Sequence, residues 1–332
     1  MVKFRKWHLL AVFVLFGFLL RLWQLGFQSI WIDESFSILA IDSILKHGYP
    51  LLKSGWIYGI TNPLDLYVPA FFVMLFGKTL FWYRFASVLF GTGLIILSFF
   101  TARKMFNARV ALITSFFITV STWQIAWSRQ VRYPIMLAFF FMLSIYLFYR
   151  MLEEQNLRLG ILWLFATFFA MLTSPFAYAL LMIFPLYLAI DYKKLLPLGK
   201  KLLKNKLYLG LLGVMLIGLA VYTLKYLNLV SLFRIKMNYL AAYSGYLFND
   251  FALFFYLAIP GLIFGLKNYR KQSILLILSF LIPFYFISFH VYLLHFRYLF
   301  FVSPVLLVFS ANTLNLLWEK LSYKKIGLLA VI

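Results

Sequence analysis

The sequence predicts an all-α polytopic membrane protein, a bundle of about 10–12 transmembrane helices with an interfacial helix in its first outer loop. Three observations predict it. Of 332 residues, 64% are apolar and only 12% are charged, against about 45–50% and about 25% in soluble domains. Runs of about 20 apolar residues, the length that crosses a bilayer core, recur along most of the chain. Little beyond loops is left over, so residues 1–332 read as a single membrane domain. A soluble enzyme, a disordered tail and a nucleic-acid-binding module are excluded, and the net charge of +22 becomes a matter of helix orientation. With no cysteine, disulfides and thiolate metal sites are absent.

In chain order, Met1–Leu25 joins a basic start (Lys3, Arg5, Lys6) to a long apolar stretch without a small-residue cleavage pattern, which predicts a retained first helix rather than a removed signal peptide. Further spans are expected over about 84–102, 109–127, 133–150, 158–174, 176–190, 207–226, 251–266, 273–290 and 298–316, with an eleventh beginning near 326. Residues 64–77 are apolar but short, and include Asp65 and Pro69. If they do not cross, 20 of the 31 basic residues, including the lysines of 193–206, share the inner face with the N-terminus, as the positive-inside rule requires. Segments 26–83, 128–132, 227–250 and 291–297 then lie outside.

The long first outer loop holds the acids of most interest. From Ser35 to His47 the apolar Ile38, Ile41 and Leu45 recur at helical spacing, with Asp42 and Lys46 opposite and Gly48 closing the run, the pattern of a short amphipathic helix in the interface. Asp33 and Glu34 stand at its start, beside Trp31. They read either as cap and first-turn acids favoured by the helix dipole or as a carboxylate base within reach of a hydroxyl acceptor. Ser128-Arg129-Gln130-Val131-Arg132-Tyr133 lies between two spans. Its arginines either snorkel or grip a phosphate at headgroup depth. His295, Arg297 and Tyr298 before the last long span carry the same two readings. Asp65 is an interfacial acid, a second site carboxylate or a ligand for a divalent ion. His290 and His295 form no recognised zinc pattern, and Gly91-Thr92-Gly93 lies within a span and reads as close helix packing.

A basic start, one span ending in Arg21-Leu22, and Trp31-Ile32-Asp33-Glu34 opening an interfacial helix together resemble the membrane-embedded GT-C glycosyltransferases. The resemblance is to the protein O-mannosyltransferase and lipid A aminoarabinose transferase superfamily. Asn62-Pro63-Leu64, Ser128…Arg132-Tyr133 and Arg297-Tyr298…Pro304 fit it in order and spacing.

That resemblance implies sugar transfer from a polyprenyl-phosphate carrier to a hydroxyl of a protein, lipid or glycan acceptor. The reaction would occur on the extracytoplasmic face of the cytoplasmic membrane, usually with inversion at the anomeric carbon. Asp33 would be the general base, with Glu34 supporting it or orienting the acceptor. Arg132, Arg129 and Arg297, with His295, would bind the donor phosphate, and Trp31, Tyr133 and Asp65 would line the substrate site. Gln130 departs from the acidic residue that relatives carry just before the arginine, which makes Asp65 the substitute carboxylate and the candidate for a metal. Relatives often continue into an outer C-terminal domain, so a short or truncated member is expected. An oligosaccharyltransferase would need a large soluble domain. The competing expectation is a transporter or flippase of lipid-linked sugars, which would place ionisable residues mid-span.

Overall fold

The computed structural model describes residues 2–59, 62–206 and 234–329, with scattered positions between 209 and 221. Helices account for its regular structure apart from an isolated bridge between Leu51 and Ile57. They are α1 (Val2–Leu22), α2 (Ile32–His47), α3 (Leu64–Phe76), α4 (Leu80–Met105), α5 (Ala108–Val120), α6 (Thr122–Trp127), α7 (Tyr133–Glu154) and α8 (Leu157–Thr173). After a 3-10 turn at Pro175–Ala179 come α9 (Leu180–Ile190), α10 (Leu195–Lys204), α11 (Leu240–Asn249), α12 (Ala252–Asn268) and α13 (Arg270–Phe289). Another 3-10 turn, Phe296–Val302, leads into α14 (Ser303–Leu329).

Four described stretches are long and apolar enough to cross a bilayer: α4, α7, α13 and the run Phe296–Leu321. Counting each sharply bent helix pair as one span raises this to six. That is fewer than the 10–12 spans expected, for identifiable reasons. The apolar run 109–127 breaks at Ser121, whose backbone is extended (φ −60°, ψ 119°), and yields the short α5 and α6. Residues 158–174 give a helix of 17 residues. Among the described residues α14 runs unbroken from Ser303 through Leu329, across the position near 326 where an eleventh span is expected to begin. The expected span 207–226 lies outside the described residues, apart from its scattered positions. α11 meets the start of α12 at 93°.

The break at Ser121 exposes carbonyls at the end of α5, which would be costly in an apolar setting. Arg21, fully buried in the last turn of α1, satisfies them. It donates from Nη2 to the Ile118 carbonyl (3.0 Å), from Nη1 to those of Thr119 (3.4 Å) and Gly17 (2.9 Å), and from Nε to Ser128 Oγ (3.1 Å). Arg129 returns the favour, donating to the Leu20 and Gln24 carbonyls at the end of α1 (3.2 and 3.3 Å). Gly91 makes room for this knot: a Cβ there would lie 2.1 Å from Ser128 Oγ. The close-packing reading of Gly91-Thr92-Gly93 follows from that contact.

Two layers result. The main core joins α4, α5, α7 and α14. A smaller cluster packs Ala40 and Ile41 of α2 against Leu66, Ala70 and Val73 of α3, Tyr83 of α4 and Val131. At 13 residues, α3 is about 20 Å long against a hydrocarbon core of about 30 Å. It lies with α2 in this small layer, over the end of the bundle where α4 and α7 begin. The opposite end carries Lys104 and Arg150 on Glu154, Lys194 on Glu153, and Lys271 on Asp191.

Candidate active site

The expected interfacial helix starts three residues early. Trp31 is its extended N-terminal residue (φ −96°, ψ 164°), and no side chain caps the helix. Asp33 and Glu34 are therefore first-turn acids facing the exposed N–H end, where negative charge is favoured. Gly48 ends the helix in the left-handed conformation (φ 81°), its N–H bonded to the Ile44 carbonyl. Consecutive helical residues point about 100° apart, so the two acids enter different surroundings.

Glu34 points inward. Its side chain is 0% exposed, and that of its partner Arg84 is 1% exposed. Arg84 Nε and Nη2 donate to Glu34 Oε1 (2.7 Å) and Oε2 (2.6 Å), a two-pronged pair. The Val131 N–H adds a third bond to Oε1 (3.0 Å). Arg84 also donates to the carbonyls of Leu25 and Gln28 (both 2.9 Å). The pair thus ties together the chain after α1, the start of α2, α4 and the loop before α7. Both Glu34 oxygens are thus engaged by donors in a closed environment.

Asp33 points the other way, and its side chain is 29% exposed. Arg297 donates from Nη1 to Asp33 Oδ2, and Arg132 Nη2 stands 3.7 Å from the same oxygen. Arg132 is held by the Tyr58 hydroxyl (2.7 Å), the Asp33 carbonyl (3.2 Å) and Ser37 Oγ (3.3 Å). Arg297 lies over the rings of Trp31 (5.5 Å) and Tyr298 (5.7 Å), and Arg132 over that of Tyr133 (5.7 Å). Trp31 in turn meets Trp127 edge-on at 6.1 Å, and Trp127 leans on Phe300, so the core sets the depth of this wall. The Nε of Arg132, the Nε of Arg297 and Nε1 of Trp31 are all buried without an acceptor. Unsatisfied buried donors are uncommon. Three of them around one carboxylate, two on guanidinium groups, suit an anionic oxygen ligand.

The remaining expected residues divide. His295 borders the site: its ring meets Tyr298 edge-on at 5.4 Å, and burial, then Arg297, push its imidazole pKa down against the pull of Asp33. Arg129 does not join Asp33, because its guanidinium is spent on the end of α1. Asp65, at the start of α3, is half-buried; burial pushes its carboxyl up to about 7 against the opposing attraction of Arg132. Among the described residues no three His, Asp or Glu side chains converge to hold a metal ion, and no step is drawn through one.

Sequence reasoning passed over Arg84 and Tyr58, and named Arg21 only as the end of the first span. Arg84 and Arg21 carried a usable signal, since a lone arginine at the edge of an apolar run needs a partner. Tyr58, one of 22 tyrosines, carried none.

Residues 61–224 match the family described as dolichyl-phosphate-mannose-protein mannosyltransferase. An uncharacterised protein of Aquifex aeolicus (strain VF5) is 29% identical over 205 residues, covering 60% of this chain and 40% of that protein. Among solved structures, ArnT from Cupriavidus metallidurans bound to undecaprenyl phosphate superposes with a TM-score of 0.73 at 17% identity, over 92% of this chain and 60% of its own. The Archaeoglobus fulgidus oligosaccharyltransferase AglB, in complex with an inhibitory peptide and a dolichol-phosphate, gives 0.62 at 13% identity, over 99% and 52%. The chain thus spans between about two-fifths and three-fifths of these proteins. The fold is the GT-C fold of ArnT, in a multi-pass integral membrane protein.

Proposed function

We propose that this chain, which over residues 61–224 belongs to the dolichyl-phosphate-mannose-protein mannosyltransferase family of GT-C glycosyltransferases, moves a sugar from a polyprenyl-phosphate carrier to an acceptor hydroxyl. Asp33 is the base in this reading. The observation that carries it is the meeting of a partly exposed carboxylate with two guanidinium groups whose Nε–H donors lack acceptors. A phosphate oxygen supplies what those donors lack, and a hydroxyl beside Asp33 supplies the proton.

In the step itself, the acceptor O–H gives its proton to Asp33 while its oxygen attacks the anomeric carbon. The bond from that carbon to the phosphate oxygen breaks, and its electron pair leaves with the lipid phosphate. Arg132 and Arg297 neutralise the charge that grows there, which is where preorganised donors lower a barrier most. A single displacement inverts the anomeric centre. Glu34 and Arg84 hold the base and Val131, next to Arg132, in register.

The site faces outward in this reading. Asp33 lies at the starts of α2 and α7, whereas the lysine-rich ion pairs lie at the end of α7, about 33 Å away along a helix of 22 residues. Positive residues favour the cytoplasm, which supports an extracytoplasmic Asp33. Against a flippase stands the position of the acids with described surroundings, which lie outside the long apolar spans or near their ends rather than mid-span. The deciding experiment incubates the purified protein in detergent with radiolabelled polyprenyl-phosphate sugars and candidate protein, lipid and glycan acceptors. Label transferred to an acceptor is expected. Sugar that crosses vesicle bilayers with its lipid bond intact would support the flippase instead.

A further inference from the structure

The base and the donor phosphate draw on the same guanidinium edge. Arg297 donates to Asp33 Oδ2, and such a bond occupies the oxygen that would take the acceptor's proton. Arg132 is the weaker competitor for that oxygen, at 3.7 Å and anchored elsewhere by Tyr58 and Ser37. The other contacts of the Arg297 guanidinium are the faces of Trp31 and Tyr298, which hold a cation without engaging its N–H groups. Its Nε–H has no acceptor. Arg84 and Arg129 differ, because main-chain carbonyls fix their guanidinium groups. Arg297 is the site cation best free to turn.

We propose that Arg297 is exchanged between Asp33 and the donor phosphate, so that donor binding uncovers the base and must precede proton transfer from the acceptor. This rests on the reading of Asp33 as base. A phosphodiester donor carries one negative charge, and the departing lipid phosphate gains another, so the hold of Arg297 on it tightens as the sugar leaves. At that moment Asp33 has taken the acceptor proton and no longer competes. Once the lipid phosphate dissociates, the proton on Asp33 passes to water and Arg297 returns to Oδ2. The same ion pair therefore covers the base before the reaction and again afterwards.

The exchange is tested without turnover, by binding undecaprenyl phosphate to the purified full chain in detergent. Binding is read as the shift in unfolding temperature over a ligand series, which extends to weak binders. Asp33→Asn removes the competitor, and about tenfold tighter binding is expected, in the usual range of coupling between sites. In an Arg297→Gln background the same change should alter affinity less than about twofold. No tightening in Asp33→Asn overturns the exchange. Equal tightening in both backgrounds also overturns it, because simple repulsion between carboxylate and phosphate would explain that result. Transfer activity of Asp33→Asn is scored separately: full activity refutes the base assignment whatever the binding shows, whereas lost activity without tightening refutes the exchange alone.

Discussion

Asp33 and Glu34 are neighbours on one helical turn, yet they sit in opposite kinds of ion pair. Glu34 is sealed with Arg84, and its two oxygens and most of the guanidinium donors are matched. Asp33 is open to solvent and meets two arginines whose hydrogen-bonding capacity is left over. A closed pair resists rearrangement, since parting it strands a charge in an apolar interior. An open pair with spare donors can trade partners, which a reaction involving two charged groups requires. The difference teaches that adjacency in sequence says little about shared chemistry on a helix. One acid builds the floor and the other faces the substrate.

The largest expected effect falls on the open side. Asp33→Asn should lower sugar transfer by about 10³-fold, within the 10²–10⁴ that a positioned base contributes, while the unfolding temperature stays near that of the wild type. Transfer within tenfold of wild type would break the contrast between the two acids.

The closed side should respond in stability. Arg84→Met leaves Glu34 buried without its cation and should cost about 3–5 kcal/mol, read by thermal unfolding in detergent. Glu34→Met combined with Arg84→Met removes both charges and should recover much of that loss. A double variant as unstable as the single one would mean that the pair is not the closed unit described.

Asp65 gives a smaller, pH-dependent effect. Its carboxyl titrates at about 7 in the fold against about 3.9 in an unfolded chain. Between those values the folded state binds more protons, so this group makes stability fall as pH rises. Asp65→Asn should raise the unfolding temperature above pH 7, and the two proteins should converge below pH 4. Parallel curves across that window would show that burial does not act on Asp65 as described.

Smallest is the far end of the bundle. Lys104 pairs with Glu154 at 2.9 Å, but both side chains are partly exposed. Lys104→Ala should cost less than about 1 kcal/mol and leave transfer unchanged. A marked loss of transfer would show that the two ends are coupled.

Much of this was legible in the chain. Apolar runs announced α4, α7 and α13 because a bilayer demands long, internally bonded segments. The Trp31–Glu34 segment stood out because acids are scarce, nine in all. The break at Ser121 was hidden, since composition runs smoothly through 109–127 and the carbonyls it frees are satisfied by Arg21, about a hundred residues away. Arg129 and Arg132 looked equivalent in sequence, yet one serves the end of α1 and the other reaches Asp33.

The sequence by itself determined that the protein lives in a membrane, which segments are apolar enough to enter it, and where its few acids lie. Length, hydropathy and spacing are local properties, and the bilayer acts on them directly. Only the tertiary structure decided which acid is enclosed and which is open, and which arginines converge on the open one. Those outcomes depend on contacts such as Asp33 with Arg297, 264 residues apart. In a low-dielectric interior each charge goes to the partner that the packing brings within reach.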